Sequence, residues 1–119
     1  MRWIPLAAVL IASPAVAAPT YLSCTVPTAS GEAIYIDVAA DADAREVVAT
    51  FPKSGDSERY PAAFSATSVG FSDTGSVNFA IDYKISRVDL TIERTITMSG
   101  KRETSQGTCK VQKAPARAF

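Results

Sequence analysis

Two cysteines, Cys24 and Cys109, stand near opposite ends of a 119-residue chain that has no others. A disulfide holds its two Cα atoms within roughly 7 Å. If these two pair, the first and last elements of the fold must be neighbours, or must face each other across two layers. The bond would close a loop of about 85 residues and restrict the unfolded chain by about 4–5 kcal/mol in the chain-entropy picture. Total stability of a small domain is about 5–10 kcal/mol, so such a bridge would be a large share of it. Pairing requires an oxidising compartment, and the start of the chain bears on that.

The chain opens MRWIPLAAVLIASPAVAAPT. One basic residue, Arg2, precedes an apolar run from Ile4 to Ile11, and small residues follow up to Ala15-Val16-Ala17. A positive start, an apolar centre and a small-x-small end are the parts of a secretory signal peptide. The run is shorter than the roughly 20 apolar residues of a membrane span, and Pro14 interrupts it further. Cleavage is expected after Ala17, because cleavage after Ala18 would set Pro19 beside the cut bond. The expected organisation is a leader over 1–17, one β domain over 18–113 and a flexible tail over 114–119. Loss of Arg2 takes the formal charge from 0 to −1. That leaves no basic excess to hold a nucleic acid, and no second long apolar run to span a membrane.

A cysteine soon after an apolar leader can also be a lipid attachment point. A lipobox needs Leu or a similar residue three before the cysteine and small residues between. In TYLSC, residues 20–24, Tyr21 fills the third position, Leu22 is bulky, and Pro19 already breaks the apolar run. Lipidation would also strand Cys109 as a free thiol. The residues favour a Cys24–Cys109 disulfide in a periplasmic or secreted protein.

Between frequent turn signals the mature chain alternates rather than following a helical period. Leu22, Cys24 and Val26 share one face, and so do Ile34, Ile36 and Val38 of EAIYIDVA. Val47, Ala49 and Phe51 do the same in EVVATF. The stretch Ala39–Ala49 is open to a helix capped by Asp41 or Asp43, but β-branched Val47, Val48 and Thr50 followed by Pro52 favour a strand. PKSGDSER reads as a polar loop, YPAAFS and TSVGF as short strands or irregular edge segments, and SDTGS as a turn. In VNFAIDYKISRVDLTIERTITM the apolar residues Val77, Phe79, Ile81, Tyr83 and Ile85 are odd-numbered, whereas Val88, Leu90, Ile92, Ile96 and Met98 are even. One straight strand cannot change parity, so a tight turn or bulge at Ser86-Arg87 joins two strands of a hairpin. SGKRETSQG reads as a second polar loop, and TCKVQ as a last short strand with Cys109 and Val111 on one face. The expected fold is all-β: a small antiparallel barrel or sandwich of about seven or eight short strands. A closed or nearly closed barrel meets the disulfide constraint and removes exposed edges.

The ordered set IYIDVAADADAREV, VGF, FAIDYKISRVDL, GTCK and a closing Phe119 resembles a pattern in uncharacterised small secreted proteins of Gram-negative bacteria. There the middle strand reads aromatic-x-Ile-Asp-Arg before a turn with glycine. Here Tyr83-Lys84-Ile85-Ser86-Arg87 has serine for aspartate, and Leu90 stands where glycine would help the turn. The resemblance implies a small periplasmic β domain and brings no known activity. The chain is more faintly similar to periplasmic lysozyme inhibitors, short β-barrels with early and late cysteines. Their Ser-Gly-x-x-Tyr loop is matched only by Ser54-Gly55 with the tyrosine at Tyr60, too far along.

There is no histidine, which excludes Ser-His-Asp and Cys-His catalysis and the commonest zinc sites. Paired cysteines supply no thiol nucleophile, and no nucleophile elbow, P-loop or dinucleotide fingerprint appears. Asp41-Ala42-Asp43 begins like a calcium loop but lacks its glycine and distal glutamate. Asp82 and Asp89 flank the hairpin turn, where cross-strand charge pairing explains them more simply than acid–base work. Lys101, Arg102, Lys110, Lys113 and Arg117 are scattered over a loop and the tail. Phe119 ends the chain as in outer-membrane barrels, but Lys113, Pro115 and Arg117 break the apolar alternation that a lipid face demands.

The sequence therefore predicts a monomeric, non-catalytic binding domain without cofactor or metal. Its partner would be a protein or cell-envelope ligand, met through PKSGDSER and SGKRETSQG. The alternative is a carrier of a small apolar ligand inside the barrel, with Ala62, Ala63, Ala66 and Ala80 leaving room.

Overall fold

A computed structural model describes residues 19–113. The leader with its cleavage point at Ala17, and the tail over 114–119, lie outside the described residues. Eight strands run β1 (Thr20–Pro27), β2 (Ala33–Asp41), β3 (Glu46–Phe51), β4 (Asp56–Phe64), β5 (Ser68–Ser76), β6 (Phe79–Ser86), β7 (Thr91–Met98) and β8 (Lys101–Gln112). Each pairs antiparallel with its sequence neighbours, and β8 returns to β1, so the sheet is a closed barrel. Consecutive antiparallel strands need only short turns, and closure leaves no strand with an edge unpaired along its whole length.

The alternation read from the sequence fixes which side chains fill the interior. Leu22, Cys24 and Val26 of β1 are buried, as are Ile36, Val38 and Ala40 of β2 and Val47 and Ala49 of β3. On the neighbouring strands β4, β5 and β6, Tyr60 meets Phe71 with ring centroids 5.5 Å apart, and Phe71 stacks on Tyr83 at 4.8 Å. Aromatic pairs at these separations add to the apolar burial itself. The parity change resolves as expected: β6 ends at Ser86, a turn follows, and β7 begins at Thr91. In that turn the Val88 and Asp89 N–H groups donate to Ser86 Oγ (3.1 and 3.2 Å), and Asp89 Oδ1 accepts from the Thr91 N–H and Oγ1 (3.1 and 2.8 Å). These bonds hold the Asp89 carboxyl below its ordinary value. Leu90, where glycine was expected, adopts φ 61°.

The disulfide joins Cys24 of β1 to Cys109 of β8 over a sequence separation of 85, with Cα atoms 4.0 Å apart. The two residues stand directly opposite in the β1–β8 register. The Cys109 N–H donates to Leu90 O (2.8 Å), away from β1. Cys24 and Cys109 therefore form a non-hydrogen-bonded pair, the kind in which facing side chains come closest.

Two strands change partners partway along. Residues 56–61 of β4 pair with β3, and only Ala62, Ala63 and Phe64 pair with β5. In β8, residues 101–108 pair with β7 and 108–112 with β1. Pro61 sits at the first switch, and its missing N–H is compatible with leaving a ladder. At the second, a Cβ on Gly107 would lie 2.0 Å from Thr25 O and 2.8 Å from Val26 Cα, so backbone meets backbone there. Both seams lie at the end that carries the strand termini Thr20, Phe64, Ser68 and Gln112. At this closed end the ladder runs unbroken around the barrel. At the other, open end it divides into a β1–β4 leaf and a β5–β8 leaf with no ladder between them.

Several expectations are corrected. PKSGDSER contracts to a turn at 52–55, since Asp56 already begins β4, and SGKRETSQG becomes strand from Lys101 onward. Their polar residues need no loop, because strand positions facing solvent accept them readily. SDTGS is not a turn but the end of β5, with a register irregularity between Asp73 and Ser76. The true turn falls at Val77-Asn78, which leaves Val77 97% exposed rather than inward. Val88, in the turn after β6, is likewise 76% exposed, and Met98 and Val111 are exposed at strand ends on the rims. Ala39–Ala49 contains no helix: β2 ends at Asp41, residues 42–45 turn, and β3 begins at Glu46.

Candidate functional site

At the closed end the inward residues are apolar and several are small. Leu22, Ala40, Phe64, Val69, Ile85 and Leu90 border a cavity of about 320 Å³, with Ala42 and Val111 at its lip. Such a volume lies at the lower edge of what small-molecule sites enclose. Ala40 is what keeps it open, because a longer side chain at that inward position would fill the space. Leu90 is directed there by its left-handed backbone, an arrangement costing about 1–2 kcal/mol for a residue with a Cβ. The rim is polar. Arg87 Nη1 donates to Ser65 O (2.6 Å) and the Arg87 N–H to Thr67 O (2.8 Å), tying the β6–β7 turn to the β4–β5 turn.

The alanines expected to leave room do not line this cavity. Ala63 and Ala66 are exposed, Ala80 lies on the outward parity of β6, and Ala62 packs partly buried beside the core. The residues that do, Ala40 and Ala42, carried a readable signal. Ala40 continues the even-numbered inward series Ile34, Ile36 and Val38.

Midway along the barrel, Tyr60 donates to Glu58 Oε1 at 3.4 Å. Burial pushes its phenol up to about 12, and the nearby carboxylates of Asp73 and Glu58 add to the shift. A phenol so hard to ionise is a poor acid–base group at neutral pH. At the open end a second cavity of about 450 Å³ lies between the leaves, bordered by Ile34, Arg94, Ile96, Glu103 and Ser105. Arg94 borders this cavity, and its Nε is buried with no hydrogen-bond partner. An unmet buried donor of this kind costs about 1–3 kcal/mol, more when charged. A wider trough of about 770 Å³ follows the outer surface beside Ala63, Gly70, Ser72 and Lys84.

The two aspartates flanking the hairpin turn are not brought together. Asp82 lies well inside β6, opposite Thr95, and accepts from the Ser72 hydroxyl. Asp89 is engaged within the turn. Asp41 Oδ1 accepts from the Ala44 N–H (3.1 Å), a turn-closing bond. Among the described residues no three ligating side chains cluster, and no helix is long and apolar enough to cross a membrane. The chain matches no protein-family model, no curated protein and no solved structure, so the geometry of its own cavities must carry the functional reading.

Proposed function

We propose that this chain is an exported, non-catalytic binding domain that takes the apolar part of a small cell-envelope ligand into the closed-end mouth. The observation that carries the reading is the mouth itself: an inward-facing apolar cavity of about 320 Å³ kept open by Ala40 and rimmed by polar groups. Apolar walls with a few polar groups at the edge suit a ligand with an apolar body and a polar end. Both expected contact loops contract to tight turns, which supports a site in the barrel mouth over one on PKSGDSER and SGKRETSQG. Export rests on the leader pattern over 1–17 with cleavage after Ala17, and on a disulfide that an oxidising periplasm would maintain. The resemblance to small secreted proteins of Gram-negative bacteria agrees with that placement.

Titration with a fluorescent fatty-acid analogue tests the binding site. Wild type should bind, and Ala40→Leu, which fills the mouth, should weaken binding by about tenfold or more. Equal binding by the two proteins, or none by wild type, would remove the proposal. Intact mass of the exported protein should equal residues 18–119 less two hydrogens, and a diacyl adduct would overturn the reading of Cys24 as half of a disulfide in an unanchored protein.

A further inference from the structure

The open-end cleft differs in chemistry from the mouth and lies at the other end of the barrel. Arg94 stands on the inward parity of β7, between Tyr83 of β6 and Ser105 of β8 in the register. Its buried Nε has no acceptor, and it forms no ion pair among the described residues. A guanidinium presents a planar fork suited to the two oxygens of a carboxylate. Glu103 borders the same cleft, opposite Ile96 and therefore diagonal to Arg94. Diagonal neighbours across an antiparallel pair stand roughly 7–8 Å apart, which leaves space for a small group between them.

A simple anion would meet Glu103 and Glu32, which also borders the cleft, and a simple cation would meet Arg94. A ligand carrying an ammonium and a carboxylate on one carbon satisfies both sides. Ile34 and Ile96 supply an apolar wall for whatever the charged centre bears. The facing β1–β2 turn is fixed beforehand: Thr28 Oγ1 donates to Glu32 O (2.6 Å), and the Gly31 N–H donates to Thr28 O (3.0 Å). A site whose walls are already ordered loses less on binding.

We propose that the open-end cleft binds a free α-amino acid as its zwitterion, with the carboxylate on Arg94, the ammonium on Glu103 and the side chain against Ile34 and Ile96. This site is independent of the apolar mouth, and each can fail without the other.

Calorimetric titration of the disulfide-bonded protein with glycine, leucine, glutamate and lysine tests it, with acetate and propylamine as single-charge probes. Leucine should bind about tenfold tighter than either single-charge probe. Arg94→Gln should weaken leucine by about tenfold or more, with Arg94→Lys intermediate because it keeps the charge and loses the fork. Glu103→Gln should weaken leucine but tighten acetate, a reversal that general destabilisation would not produce. Since Glu103 is exposed, that variant decides the matter even if changes at Arg94 impair folding. The proposal is overturned if none of the four amino acids binds at about 10 mM, a ceiling weaker than ordinary specific binding. Acetate matching leucine, or Glu103→Gln leaving both unchanged, would overturn it equally.

Discussion

The two ends of the barrel are built from the same eight strands and differ in how they are closed. The β4–β5 and β8–β1 ladders that close the barrel exist only at the closed end, and the Cys24–Cys109 bond lies across the β8–β1 seam there. At the open end β4 and β8 have each left one partner, and the positions of inward parity there carry half-buried Arg94 and exposed Glu103 and Glu58. Covalent and ladder closure lets the closed end tolerate a small unfilled apolar space. The split end has no such ties and admits water and charge. Stability and polarity thus run in opposite directions along one barrel.

The largest expected effect comes from breaking the covalent tie. Replacing both cysteines with alanine should lower stability by about 4 kcal/mol, measured by urea unfolding. Amide exchange should then accelerate first along the β1–β8 seam, making the ends more alike. Uniform acceleration throughout would show that the bond acts only on the unfolded chain. Next comes Gly107→Ala, which drives a methyl into the β1 backbone and should remove about 3 kcal/mol with the disulfide intact. An unchanged melting temperature would mean that the crossing is looser than the 2.0 Å approach implies.

The third effect tests the middle of the barrel. Tyr60 ionises near 12 when folded and near 10 when unfolded. Its stabilising contribution is complete below pH 10. It is lost as pH rises from 10 to 12, where the unfolded chain releases a proton that the fold retains. The loss should be on the order of 2 kcal/mol, and it should vanish in Tyr60→Phe. Absorbance at the tyrosinate band should show a phenol titrating near pH 12 that Tyr60→Phe removes. The smallest effect sharpens the closed end. Arg45 is exposed at φ 55°, and Arg45→Gly should stabilise by about 0.5–1 kcal/mol by relieving that conformation.

Much of the architecture was readable because alternation and the cysteine positions are strong physical constraints. The inward series Leu22-Cys24-Val26 and Ile36-Val38, the parity change before Thr91 and the closing of the ends all hold. The errors share a cause. Asp56–Arg59 and Lys101–Gln106 look like loops because they are polar, yet one strand face in water and an open seam both accept polar residues. Val77 and Val88 look like core because they are apolar, but each falls in a turn, where position outweighs hydropathy. The cavities were legible only in part. Small side chains announce space without saying where it lies: the inward parity of Ala40 was readable, but the cavity it borders follows only from how the closed end is built. Arg94 did carry a signal, because it is even-numbered between Ile92 and Ile96 on the apolar parity of β7, but nothing in the sequence showed that a cleft would open beside it.

The bond between Cys24 and Cys109 also decides how the molecule answers mechanical load. A pull applied to the two chain ends passes through Cys24, across the sulfurs and out at Cys109, so the intervening residues carry no tension. A tethered single molecule should therefore lengthen only by its outlying segments until a reductant is added. After reduction the whole barrel becomes extensible, and the same crosslink that closes the sheet acts as its mechanical fuse.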